Sequence, residues 1–278
     1  MIRGSNKEIH ADQKQNGIND SWNQYPPHQF VFFDEAMSFR KGLDCYDYFF
    51  EQTLNLTGKY RKQDRRHKAQ EISKIAMKKL PVSFYKRKDV LQIAKELLGK
   101  VLITNWKGHL TSGRIVECEA YYGVIDRASH AYGGRRTKRN EIMYGDAGTA
   151  YVYLCYGIHH LFNVVTNEKE IPHAILIRAL EPMEGIKKML KRRDKEKLDN
   201  TLTKGPGSLS AALGITVSNN GTSLQSKYLF IADDGFVYNK KMIGSSARIG
   251  VEYSGEAASY PYRFYIKGNP FVSGRPNK

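Results

Sequence analysis

At 278 residues, with 41% hydrophobic and 12% aromatic content, the chain carries enough apolar mass for a substantial core and has room for one large or two small domains. It has no run of about eighteen apolar residues to span a bilayer, and its polar first residues lack the apolar centre of a secretory signal, so an intracellular protein with no membrane association is expected. Cys45, Cys118 and Cys155 are too few and too scattered for a disulfide framework or a paired CxxC zinc cage, while 44 Lys and Arg against 28 Asp and Glu leave +16, a surplus that favours a polyanionic partner over a small neutral substrate.

Residues 1–76 mix Gln, Asn, Lys, His and Asp with aromatic clusters at Phe30–Phe33 and Tyr46–Phe50 and show no sustained period. They read as an appendage, either an N-terminal extension with a short docking element or a stretch preceding a functional start at Met77. The charge sits beyond them: residues 77–278 hold 32 Lys and Arg against 18 Asp and Glu. Asp89 with Gln92 has the spacing of a capping box, Val90, Leu91, Ala94, Leu97 and Leu98 keep helical spacing, and Gly99 suits a C-cap. Strands are predicted at Val101–Trp106, Gly113–Tyr122, Thr149–Tyr156 and Leu161–Val165, the last two as a hairpin turning at Tyr156-Gly157. Another strand, Ala174–Leu180, is followed by Pro182, which suits a first helical position, and by a basic helix from Ile186 to about Leu198. Strand-like stretches at Tyr228–Ala232, Ala247–Tyr253 and Tyr262–Ile266 close the chain. With no βαβ rhythm, the pattern predicts an α+β fold on a mainly antiparallel sheet.

Period two over Gly113–Tyr121 places Val116, Cys118 and Ala120 on one face and Glu117, Glu119 and Tyr121 on the other. The first face is core; the second suits a polar pocket wall, and a solvent-exposed strand face gives the same pattern. Tyr151, Tyr153 and Cys155 share a face of the next strand, while Tyr156 takes the opposite parity at the hairpin tip, where an aromatic can wedge between base pairs. Arg135, Arg136, Lys138 and Arg139 follow Gly133-Gly134 in a loop suited to phosphates, or to a solvated turn. Lys204-Gly205-Pro206-Gly207-Ser208 precedes a helix whose N-terminus can meet another phosphate, without nucleotide-loop spacing. His159 and His160, adjacent in a strand, point to opposite faces and do not combine readily with His173 around a metal, so no metal is expected. Hydrolysis by an activated water is the simplest chemistry left for the carboxylates.

In order and spacing, Gly113–Tyr121, Ala128-Ser129-His130, the basic loop to Asn140, Thr149–Gly157, Asn163 and Leu176–Gly185 resemble the alkyladenine (3-methyladenine) DNA glycosylase family. The resemblance continues through Gly205-Pro206-Gly207, Arg248-Ile249-Gly250 and Tyr262–Tyr265, covering residues 80–275 and leaving 1–76 unmatched, so that 77–278 is expected to form the glycosylase domain. It implies a single compact α+β domain around a curved sheet with a protruding DNA-inserting hairpin. It also implies a monomer that binds double-stranded DNA through the minor groove and excises damaged purines such as 3-methyladenine or hypoxanthine without a cofactor. By the same resemblance Tyr156 is the wedge, Glu119 the general base, and Arg178 an arginine beside it. Tyr121, His130 and Tyr153 contact the extruded base, Asn163 excludes normal guanine, and Glu117 is a neighbour only. No lysine matches a nucleophile, which implies a monofunctional enzyme. Ser208 stands where relatives commonly carry Lys, and Tyr144 where Phe is usual. The alternatives are a non-catalytic duplex-binding module of the same fold and a metal-dependent nuclease using Glu117 and Glu119. The expected location is the cytoplasm or nucleoid of a bacterium, or the nucleus of a eukaryote.

Overall fold

A computed structural model describes residues 77–274. Cys45 and the aromatic clusters at 30–33 and 46–50 lie outside the described residues. After a short strand β1 (Lys78–Lys79) and a single helical turn α1 (Val82–Tyr85), helix α2 runs over Val90–Leu97. The Asp89 side chain accepts from the Leu91 and Gln92 amides, but the Gln92 side chain turns to Glu96, so only half of the expected capping box forms. Gly99 follows at φ 91° and donates its amide to Ile115.

Strand β2 (Val101–Trp106) and the long strand β3 (His109–Tyr121) are joined by Lys107-Gly108, both at positive φ, as a two-residue hairpin turn requires. Strands β4 (Ala150–Cys155), β5 (His159–Thr166) and β6 (His173–Pro182) follow, and later β7 (Leu229–Asp233), β8 (Ile243–Ser246) and β9 (Arg263–Ile266). Every ladder among the described residues is antiparallel, in the order β1-β7-β2-β3-β6-β5-β4, with β9 joining β3 and β8 joining β9. β3 is the trunk: its first half pairs with β2, its second half with β9, and its other edge with β6. Where those partners change, Val116 on β3 and Arg178 on β6 are each skipped by the ladder. Two facing bulges bend the strands and re-aim side chains at that point.

Helices α2 and α4 (Pro206–Leu213) pack on one face of the sheet, over a core that includes Ile93, Leu97, Val116, Phe162, Ile177 and Leu209. Burial of this face is the main source of stability, at roughly 25 cal/mol per Å² of apolar surface. The opposite, concave face carries the alternate residues of β3 to β6.

Three further expectations fail. β6 continues through Pro182, which pairs with Gly113, so the proline ends a strand instead of starting a helix; a missing amide is tolerated at a strand end. Helix α3 (Ile186–Arg192) begins instead after Gly185, at φ 72°, where a Cβ would collide with the Leu110 carbonyl and lie 2.7 Å from Thr111 Cγ2. It stops short of Leu198, with Asp194 at φ 50°, after a run of like charges that repel one another at helical spacing. No strand forms over Ala247–Tyr253 either. There Arg248 and Ile249 bind groups away from any ladder, Gly250 turns at φ 77°, and a 3-10 stretch follows at Glu252–Ser259. No helix of the described residues is long and apolar enough to cross a membrane.

Candidate active site

Strand register assembles the site. Glu119 lies opposite Leu176, Leu176 opposite Asn163, and Asn163 opposite Tyr151, forming one row across β3, β6, β5 and β4 on the concave face. Tyr121 and Tyr153 stand two residues further along their strands on the same face. Together with His130 from the loop after β3, Tyr121, Tyr151, Tyr153, Asn163 and Leu176 wall a cleft of about 520 Å³ that also reaches Arg178 and Tyr156, a volume ordinary for a small-molecule site. A larger groove of about 860 Å³ lies elsewhere, between α2 and β8, and contains none of the predicted site residues.

The two carboxylates are fully buried, which overturns the exposed-face reading of β3. They are not equivalent. Glu117 Oε1 accepts from Arg178 Nε, Arg263 Nε and Ser273 Oγ, each at 2.8 Å, and its Oε2 accepts the Ser273 amide. With its oxygens committed to two guanidiniums and a serine, Glu117 is a poor ligand for an added cation, which argues against the nuclease reading. Glu119 is more sparingly held: Oε1 accepts the Ile249 amide at 2.8 Å and pairs with Arg178 Nη1 at 3.1 Å, while Oε2 accepts the Tyr121 hydroxyl at 2.9 Å. Tyr121, Arg178 and Ile249 all line the cleft, so Glu119 sits directly beneath its floor. Burial works against the Arg178 charge, but Glu119 and Glu117 outweigh it and hold its pKa above the ordinary arginine value. Burial, and then Glu119, push the Tyr121 hydroxyl well up, so it serves as a hydrogen-bond donor at neutral pH.

The aromatic wall is a connected set. His130 meets the Tyr153 ring edge-on at 4.7 Å between centroids, Tyr151 and Tyr153 lie 5.4 Å apart, and His130 Nδ1 bonds the Tyr151 hydroxyl at 2.7 Å. Burial, reinforced by Arg139 and Arg135, lowers the His130 pKa to about 4. Asn163 is buried, and its amide nitrogen is engaged by the Tyr151 and Leu161 carbonyls. At the end of the β4–β5 hairpin, Tyr156 (φ 50°) and Gly157 (φ 74°) form the turn, and Tyr156 is 88% exposed.

The basic loop, for which phosphate contacts and a solvated turn were both open, has two of its four cations already engaged within the protein. Arg136 is paired with Glu141 and Glu170, and Arg139 stacks over Tyr153 and bonds the Leu154 carbonyl, leaving Arg135 and Lys138 as its unpaired cations. The Tyr144 hydroxyl donates to the Arg135 carbonyl, and Ser208 accepts from Arg193. His173 is engaged by Asn167 and Tyr122, away from any cluster with His159 and His160; among the described residues no group of three or more metal-ligating side chains converges.

The family model described as methylpurine-DNA glycosylase matches residues 83–270. The chain belongs to this family. Proteins of Clostridium perfringens, Bacillus cereus and Bacillus cytotoxicus, each named as a candidate 3-methyladenine DNA glycosylase, are 46%, 48% and 48% identical to it over 198, 201 and 203 residues. Those alignments cover 68%, 69% and 70% of this chain and 96%, 98% and 99% of the relatives. As a DNA glycosylase, the chain is a hydrolase of N-glycosyl bonds that serves DNA repair.

For this glycosylase the sequence reading placed Glu119, Tyr121, His130, Tyr153, Asn163, Arg178 and Tyr156 in the site, and the fold brings all seven to one cleft or directly under it. It missed Tyr151, although the parity shared with Tyr153 was visible, and it missed the Ile249 amide, because a backbone donor leaves no mark in a sequence.

Burial also sets a pH response. His173, like His130, has its pKa lowered to about 4, whereas an unfolded histidine titrates near 6.5. Between those values the unfolded chain binds more protons than the folded one, so these two residues make stability fall as pH drops from about 6.5 toward 4. NMR titration of the two imidazole rings is expected to give midpoints near 4; midpoints near 6.5 would contradict the account.

Proposed function

We propose that this chain is a monofunctional DNA glycosylase that turns a damaged purine out of duplex DNA into the concave cleft and removes it by hydrolysis, with Glu119 activating the water. The observation that carries the reading is a buried carboxylate beneath the floor of a tyrosine- and histidine-walled cleft, held by Tyr121, Arg178 and Ile249. With a nucleotide extruded into the cleft, the sugar faces this floor. Glu119 takes a proton from water, the water oxygen bonds the sugar carbon, and the bond to the purine nitrogen breaks. General-base assistance of this kind contributes about 100- to 10,000-fold. The carboxylate also stabilises the positive character that develops on the sugar. Among the described residues no lysine lines the cleft, which supports hydrolysis without a Schiff base and an abasic product left uncut.

The tyrosine faces suit N-alkylated purines that carry positive charge, through cation–π attraction of about 0.5 to 2 kcal/mol. His130, neutral at physiological pH and bonded to Tyr151 through Nδ1, keeps its other ring nitrogen for the base. Asn163 limits the floor against the 2-amino group of guanine. Alkylated or deaminated purines such as 3-methyladenine and hypoxanthine are the substrates this reading assigns to the cleft. Tyr156 enters the minor groove and fills the gap left by the extruded base. An exposed tyrosine held at positive φ gains little stability from its place, so a role in DNA explains it better than packing. The family match falls within residues 77–278, which supports placing the chemistry there.

Glu119→Gln is expected to lower single-turnover excision on the order of 1000-fold while leaving affinity for a lesion duplex nearly unchanged, because the base is lost and the cationic surface kept. Equal loss of both would remove Glu119 from this role, and tight duplex binding by a wild-type protein that releases no base from any lesion would favour the non-catalytic module. Tyr156→Ala is expected to weaken lesion-duplex binding and slow excision by about tenfold with no change in melting temperature. Unchanged affinity and rate would end the wedge assignment.

A further inference from the structure

One buried ion pair beside the site is absent from the mechanism above. Arg248 is fully buried; its Nη1 and Nη2 pair with the two oxygens of Asp126 and donate to the carbonyls of Ala120 (2.9 Å) and Ala257 (3.2 Å). Asp126 in turn accepts the Tyr122 and Ala128 amides, each at 3.0 Å, and so shapes the loop that carries His130. The guanidinium lies 4.8 Å from the centre of the Tyr121 ring and 5.3 Å from that of Tyr262. Arg248 Nε is buried without a partner.

We propose that Arg248, locked by Asp126, is a positioning residue for the Glu119 carboxylate. The next residue in the chain is Ile249, whose amide holds Oε1, and the ring beneath the guanidinium is Tyr121, whose hydroxyl holds Oε2. Both oxygens of Glu119 are thus held by groups whose place Arg248 fixes. The segment that delivers the Ile249 amide has no ladder of its own: β8 ends at Ser246, and Gly250 turns the backbone away. Stability alone is a weak reason to keep the pair. Buried ion pairs are often replaced by apolar side chains at no loss, and this one retains an unsatisfied N–H.

The inference rests on Glu119 being the general base, and the test separates the two. Saturating single-turnover excision and binding to a duplex with an uncleavable abasic-site analogue are measured in full-length Glu119→Gln, in Arg248→Lys, and in a double variant, Asp126→Leu with Arg248→Met. A shift of the carboxylate by a fraction of an ångström predicts a rate constant about 100-fold lower in the double variant, with affinity held within about threefold. Arg248→Lys keeps the charge but loses the fork, and is expected to fall about tenfold. A purely structural role lowers the active fraction, so that more protein is needed to reach saturation, and leaves the saturating rate constant alone. Wild-type rate constants in the double variant, or in Arg248→Lys should the double variant not fold, would overturn the proposal. An active Glu119→Gln would instead overturn the reading on which it rests.

Discussion

Glu117 lies out of reach of water, yet three separate segments converge on it: Arg178 from β6, Arg263 from β9, and Ser273 beyond β9. Burying a carboxylate costs several kcal/mol unless charge and hydrogen bonds offset it, and here two guanidiniums and a serine do so. Removing one partner of such a network costs about 3 to 5 kcal/mol, which makes this node a strong constraint on how β3, β6 and β9 meet. Arg178 reaches from it to Glu119, so the site inherits its geometry from the same node. The facing bulges at Val116 and Arg178 belong to this arrangement, because they turn the sheet where the charges must meet.

Around that node the molecule divides its surfaces by parity. One set of alternate residues makes the apolar core under α2 and α4; the other makes a concave wall of carboxylates, tyrosines and an asparagine. Glu117 and Glu119, two residues apart on one strand, take different parts in consequence. The first spends its hydrogen bonds on structure; the second keeps fewer, all to residues that line the cleft. The exposed Tyr156 at positive φ and the unpaired Arg135 and Lys138 stand apart from both sets and gain little stability from their place in the fold.

Much of this was legible in the sequence. Period two over Val116–Tyr121 separated the core face from the polar face correctly, and the Tyr156-Gly157 turn marked the hairpin. Alternation cannot say whether a polar face is solvated, and so it left open that Glu117 and Glu119 are buried. The guanidiniums that hold Glu117 lie 61 and 146 positions away, joined by strand register and two bulges that no local pattern encodes. The alternating stretch Ala247–Tyr253 misled for a related reason: Arg248 turns inward to Asp126 while the neighbouring Ile249 keeps its side chain partly exposed and gives only its amide to Glu119, which mimics the period of a strand without its ladder. Pro182 misled because acidic and proline signals at a helix start also fit a strand end followed by a glycine turn.

The most direct test of hydrolysis at the floor of this cleft is release of free base from a methylated or hypoxanthine-containing duplex in the presence of EDTA, with strand breaks scored before and after alkali, for the full chain and for residues 77–278. The account predicts base release by both forms, with breaks appearing only after alkali. Breaks before alkali, or activity abolished by EDTA, would contradict it.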